Sequence, residues 1–178
     1  PIEAALIRNR IAPGLIRKQF GFQTWFDFDE KLWNKLLDHA KNKIIESDIP
    51  IFGTDYDEEM VKIAQTNLNY LKDFDMKNIN FSVSDFKEIT DLGSKGTLIF
   101  NPPYGERLKQ DNLNDFYQEI GDVLKLNFSG WQAWILSSNK EALKKIGLRT
   151  SKKLSLRNAA IDCKFQKYEM YHGSKKKK

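Results

Sequence analysis

Apolar and polar positions along this chain repeat with two periods, one near 3.6 and one near 2, and the pattern switches between them several times. Ile2, Ala5 and Leu6, with Asn9, follow helical spacing directly behind Pro1, a residue suited to the start of a helix. Leu32, Trp33, Leu36, Leu37, Ala40 and Ile44 mark an amphipathic helix from about Asp29, whose carboxylate is placed to cap it. Residues Ile49 to Asp55 read as a short buried strand ending in an acid. Met60, Val61, Ala64, Leu68 and Leu71 mark a further helix, opened by Asp57, Glu58 and Glu59. Ile79 to Val83 is a second strand, again followed by an acid, Asp85. Thr97 to Phe100 is a third, running into Asn101-Pro102-Pro103-Tyr104. Leu113, Phe116, Tyr117, Ile120, Val123 and Leu124 make another helix, Trp131 to Leu136 a fourth strand and Lys140 to Lys145 a short helix. Two strands, about Leu148 to Leu156 and Asp162 to Tyr171, close the chain around a turn near Asn158.

Strands alternating with helices imply an α/β fold: a Rossmann-like, mostly parallel sheet with helices on both faces. The last two strands are joined too tightly for a crossover, so they form an antiparallel hairpin at one edge. Ligands of such sheets sit at the carboxyl ends of the strands, which is where Asp55, Asp85 and Asn101 fall. No internal repeat and no linker divides residues 1–173, and residues 174–178 form a lysine-rich tail.

Composition narrows the class. The chain has 178 residues, 40% hydrophobic and 30% charged, the balance of a soluble globular protein. No run approaches the ~20 apolar residues of a membrane span, and nothing at the start reads as a signal peptide, so no membrane partner is expected. The single cysteine, Cys163, excludes an internal disulfide and argues against a Cys/His metal centre. It reads as a small core residue. His39 and His172 have no partner at metal-ligand or triad spacing, and the expectation is a metal-free, cytoplasmic protein. The net charge of +5 conceals an asymmetry. From Asn139 to Lys178 there are 13 Lys and Arg against 3 Asp and Glu, whereas the first 138 residues hold 16 against 21. An acidic body with a basic end suits a polyanionic partner. The last lysines alone read equally as a solvated tail, but the bases between Lys140 and Lys167 sit within structured elements. Trp25 and Phe26, in a loop-like stretch, are further candidates for contact with such a partner.

The tetrapeptide Asn101-Pro102-Pro103-Tyr104 carries the chemistry. Each proline fixes its own φ and biases the preceding residue toward extended backbone. The carbonyls of Asn101 and Pro102 are thereby held in place, and with the Asn101 side-chain oxygen they form a group of acceptors with few donors. Such a group suits an amino nitrogen attached to a planar ring. Accepting its two hydrogens draws the nitrogen toward sp3 geometry and frees its lone pair for attack. Tyr104 is positioned to stack on the ring. The competing reading is an ordinary rigid turn between strand and helix.

Asn-Pro-Pro-Tyr resembles the signature of S-adenosylmethionine-dependent methyltransferases that modify planar amides and amines. The longer string Asn101-Pro-Pro-Tyr-Gly-Glu-Arg-Leu108 resembles the THUMP-associated RNA methylase family, which makes N2-methylguanine in ribosomal RNA and tRNA. Three other stretches agree: Pro1-Ile-Glu-Ala-Ala5, Phe52-Gly-Thr-Asp-Tyr-Asp57 with Ala64 and Asn67, and Arg157-Asn-Ala-Ala-Ile-Asp-Cys163. The resemblance covers nearly the whole chain. It implies a class I methyltransferase sheet with S-adenosylmethionine as cofactor. Asp55, with Tyr56 beside it, would hold the ribose hydroxyls of the cofactor, as a carboxylate with acceptors alone can do. Asp85 would accept from the adenine amino group with Phe86 beside the ring, and Asn101 would face both cofactor and substrate. Pro102, Pro103 and Tyr104 complete the catalytic group. Tyr104, Gly105, Glu106 and Arg107 would touch the substrate. Asp55 could instead cap the following helix, although Asp57 can serve there, and Asp85 could be a solvated acid. Glu3 could support the cofactor loop or stand exposed.

The family's first strand and glycine-rich cofactor loop should precede Pro1, and the chain contains no Gly-x-Gly. The expectation is the carboxyl-terminal portion of a longer enzyme, with the strands ending at Asp55 and Asn101 each left with an unpaired edge. The expected activity is methyl transfer to the exocyclic N2 of a guanosine in RNA, with 23S ribosomal RNA the leading substrate and tRNA the other. DNA adenine and protein glutamine methyltransferases share the tetrapeptide, and a non-catalytic RNA-binding module is the alternative of another class.

Overall fold

The computed structural model describes residues 1–74, 76–90, 92–103 and 110–171, with Gln110 and Asp111 described by backbone alone. Tyr104, Gly105, Glu106, Arg107, Leu108, His172 and the tail from Ser174 lie outside the described residues. The chain divides into two compact units, Pro1–Phe86 and Lys87–Lys178.

The first unit holds α1 (Ile2–Arg8), α2 (Glu30–Lys41), β1 (Ile51–Asp55), α3 (Glu58–Asn69) and β2 (Ile79–Val83). Its buried cluster joins Leu6, Ile11 and Leu71, with Ile2, Leu15, Ile44, Phe74 and Met76 packed against it. The caps fall where the sequence places them. Asp29 accepts from the Leu32 amide at 2.9 Å, and Asp57 accepts from the Glu59 amide at 2.8 Å. Ile44 and Leu71 lie just beyond α2 and α3 rather than within them. The helices stop earlier than the apolar spacing indicates, and the turns that follow deliver both residues to the cluster. Strand β1 starts at Ile51, not Ile49, because Pro50 has no N–H to give a ladder and Ile51 makes the first bond, to Asn78. Strands β1 and β2 are parallel, with Ile51 opposite Ile79 and Asp55 opposite Val83. Gly53 faces Phe81, whose ring lies 2.6 Å from where a Cβ would stand, so only glycine permits this approach.

The second unit holds β3 (Thr97–Phe100), α4 (Gln110–Asn127), β4 (Gln132–Ser137), α5 (Lys140–Lys145), β5 (Thr150–Asn158) and β6 (Ile161–Glu169). Its sheet runs β3-β4-β6-β5, with β3 and β4 parallel and the other two pairings antiparallel. The closing hairpin is therefore threaded with β6 inside and β5 as the edge. Its turn is the pair Ala159-Ala160, with Ala159 at φ 53°. Ala133, Ile135 and Ser137 alternate as the buried side of β4. Helix α4 covers that side with Leu113, Tyr117, Ile120 and Leu124, a stripe at helical spacing. Cys163 is buried, as a core residue should be. Among the described residues, β1 and β3 each pair with a strand on one side only.

Candidate active site

In the first unit, four expected cofactor-binding residues meet at one end of the parallel pair β1–β2. Asp55 is the last residue of β1, and Asp85 follows the residue opposite it by two positions. The Asp57 amide donates to Asp55 Oδ1 at 3.0 Å, which fixes the carboxylate at the strand end. Asp57 itself caps α3, so the helix does not require Asp55 for that purpose. The second oxygen of Asp55 has no hydrogen-bond partner among the described residues. A half-buried carboxylate with one oxygen anchored and one open accepts from a hydroxyl pair. Tyr56 is 83% exposed beside it. The Ser84 hydroxyl donates to the Asp85 carbonyl at 3.1 Å, and Phe86 opens a short 3-10 turn, half-buried.

In the second unit, Asn101 leaves the carboxyl end of β3 exposed, Pro102 is buried and Pro103 half-buried. The Asn101 side chain makes no hydrogen bond to the described residues, so its amide oxygen is open to an incoming donor. The backbone behind it is tied down. Tyr117 of α4 donates its hydroxyl proton toward the Pro103 carbonyl at 3.5 Å, and Ser137 of β4 lies 2.7 Å from the same hydroxyl. Ser137 Oγ in turn accepts from the Asn139 amide at 3.1 Å. One arrangement satisfies all three contacts: Ser137 donates to Tyr117, and Tyr117 donates to Pro103. These two residues escape a reading from sequence alone, because Tyr117 counts there as one more apolar position of α4. The available signal is a hydroxyl on a helix stripe that is otherwise aliphatic and aromatic, since a buried hydroxyl requires a partner.

Other candidates resolve simply. His39 lies on α2, and among the described residues no group of three or more His, Cys, Asp or Glu is placed to hold a metal. No helix of the described residues is long and apolar enough to cross a membrane. Trp25 is 67% exposed and Phe26 fully exposed, beside an aromatic cluster in which Phe20, Phe22 and Trp33 pack at 5.0–5.4 Å.

Parallel strands ending in acids, and a strand running into Asn-Pro-Pro, fit the class of Rossmann-like methyltransferases. A family model described as the RMKL-like methyltransferase domain matches residues 1–167, and the chain belongs to that family. A relative from Synechocystis sp., slr0064, provisionally named an RNA methyltransferase, is 41% identical over 96% of this chain and 44% of its own length. The ribosomal RNA large subunit methyltransferase K/L of Shewanella sediminis is 37% identical over 96% of this chain and 24% of its own length. The crystal structure of SMU.472 in complex with SAH superposes with a TM-score of 0.86 at 27% identity, covering 97% of this chain and 45% of that one. The chain thus spans less than half the length of each.

Proposed function

We propose that this chain is the catalytic part of an enzyme that transfers a methyl group from S-adenosylmethionine to the exocyclic N2 of a guanosine in 23S ribosomal RNA. The carrying observation is Asn101-Pro102-Pro103 at the carboxyl end of β3, with the open Asn101 amide in front and the Pro103 carbonyl held from behind by Tyr117. The names of the relatives support RNA as the substrate, and the S-adenosylhomocysteine complex of the structural neighbour supports the cofactor. Asp55 fits that cofactor's ribose, because its open oxygen accepts and nothing in the described structure competes for it.

S-adenosylmethionine supplies a methyl group on a positively charged sulfur. The chain's own residues do the rest by position and polarity. The Asn101 side-chain oxygen and the neighbouring carbonyls accept the two hydrogens of the guanine amino group, which localises the nitrogen lone pair. That lone pair forms the new N–C bond as the C–S bond breaks. The excess proton leaves the methylated nitrogen for water, so no general base is needed. Tyr104 stacks on the base, and Gly105, Glu106 and Arg107 contact the RNA around it.

The test is nucleoside analysis of unmodified 23S ribosomal RNA after incubation with the intact protein and the cofactor. N2-methylguanosine is the expected product, and Asn101→Ala should abolish it while leaving affinity for S-adenosylhomocysteine nearly unchanged. N6-methyladenosine as the product would overturn the guanine assignment. Undiminished turnover by Asn101→Ala would remove that residue from the chemistry.

A further inference from the structure

We propose that the edge strand β5, with the lysine opposite it on β6, is a docking surface for the phosphate backbone of the RNA. This inference rests on RNA being the substrate. The strand is nine residues long, and every residue from Ser151 to Asn158 is exposed. It pairs with β6 alone, so among the described residues its outer edge keeps a row of backbone N–H groups open. Arg149, just before it, and Lys152, Lys153 and Arg157, within it, are four cations in nine residues. None of the four forms an ion pair among the described residues. By contrast, Lys62, Lys87, Lys125 and Lys144 are each matched to an acid at 2.7–3.0 Å.

The pairing sharpens the case. Lys152 stands directly opposite Lys167 across the antiparallel pair. Like charges in that position destabilise a sheet. Lys167 is matched by Glu169 at 2.9 Å, which leaves the charge of Lys152 uncompensated. Lys153 and Arg157 project from the other face, on which Lys164 donates to Ser155 at 2.6 Å. An edge with cations above and below it and open N–H groups between them matches the donors that phosphate oxygens take. Contacts of this kind set register and orientation without reading bases, which leaves selection of the nucleotide to the Asn101 loop. Lysines on an edge strand can also serve to block edge-to-edge pairing. That alternative requires no anion and is separated below.

The probe is a fluorescent 20-nucleotide single-stranded RNA, titrated against the intact protein at several salt concentrations. The triple variant Lys152→Gln, Lys153→Gln, Arg157→Gln should bind about tenfold more weakly near 0.1 M salt, with a log–log salt slope shallower by roughly two. A control of equal charge loss on the first unit, Lys18→Gln, Lys31→Gln, Lys35→Gln, should leave the slope within error of wild type. Lys152→Arg with Lys153→Arg should bind normally, which separates charge from folding. An unchanged slope in the triple variant, with self-association in its place, would make β5 a guarded edge and overturn the proposal. So would a control that loses as much as the variant, or a deletion of residues 174–178 that flattens the slope completely. If the unmutated protein binds no RNA at all, the substrate class itself fails, a result distinct from loss of this surface alone.

Discussion

The Tyr117 hydroxyl lies 2.7 Å from Ser137 Oγ, with both side chains fully buried. This contact joins α4 to β4 and places a donor under the Pro103 carbonyl. Tyr117→Phe keeps the ring and removes the donor. A lost hydrogen bond of this kind costs on the order of 1 kcal/mol, read as a small drop in melting temperature. If Tyr117 positions the Asn101 loop, kcat should fall by more than that stability loss explains, with KM for RNA nearly constant. A drop in melting temperature with unchanged kcat would make Tyr117 structural only.

Asp55 and Asp57 stand two residues apart and divide the work at the start of α3. Asp57→Ala removes the cap and should cost about 1 kcal/mol of stability, with affinity for S-adenosylhomocysteine nearly intact. Asp55→Ala should do the reverse, lowering that affinity at least tenfold in calorimetric titration with a smaller change in melting temperature. Normal binding by Asp55→Ala would reduce that carboxylate to a loop anchor.

Most elements were legible because their signals are local. Asp29 and Asp57 announce helix starts, and the apolar run from Trp131 to Leu136 announces a strand. Asn101-Pro102-Pro103 marks the end of β3 at Phe100, since a proline has no N–H to give to a ladder. What stayed hidden depends on distant pairing. The threading of β6 between β4 and β5 is decided by which strand matches the edge of β4, and no short-range pattern records it. The Tyr117–Ser137 contact spans 20 residues and exists only once α4 lies on β4. The exact ends of β1 and α2 shifted by a few residues because Pro50 and the turn after Lys41 override apolar spacing.

Gly121 lies in α4 where α5 ends, and a Cβ there would overlap the backbone carbonyl of Ile146. Because the obstacle is main chain, no rotamer change relieves it. Gly121→Ala should therefore destabilise the protein by about 1–3 kcal/mol, although alanine favours helices. Chemical denaturation checks this, and a variant as stable as wild type would mean that α5 can shift without cost.

Tyr168 is expected to make stability fall with pH on the alkaline side. Its side chain is buried on β6, and its hydroxyl donates to Gln166 Oε1 at 2.7 Å. Burial, with the neighbouring Tyr117 adding to it, pushes its pKa well above the ordinary tyrosine value. The folded pKa is thus higher than the unfolded one. Below pH ~10 both states keep the proton and this contribution to stability is fully present. Above it the unfolded chain ionises first, so stability falls by up to about 1.4 kcal/mol per pH unit. Tyr168→Phe has no proton to lose. It should be less stable than wild type at pH 8 by roughly 1 kcal/mol, having lost the bond to Gln166. It should then decline less steeply between pH 10 and 11, so that the difference narrows or reverses. Parallel melting curves for the two proteins across that range would show that Tyr168 ionises as readily folded as unfolded.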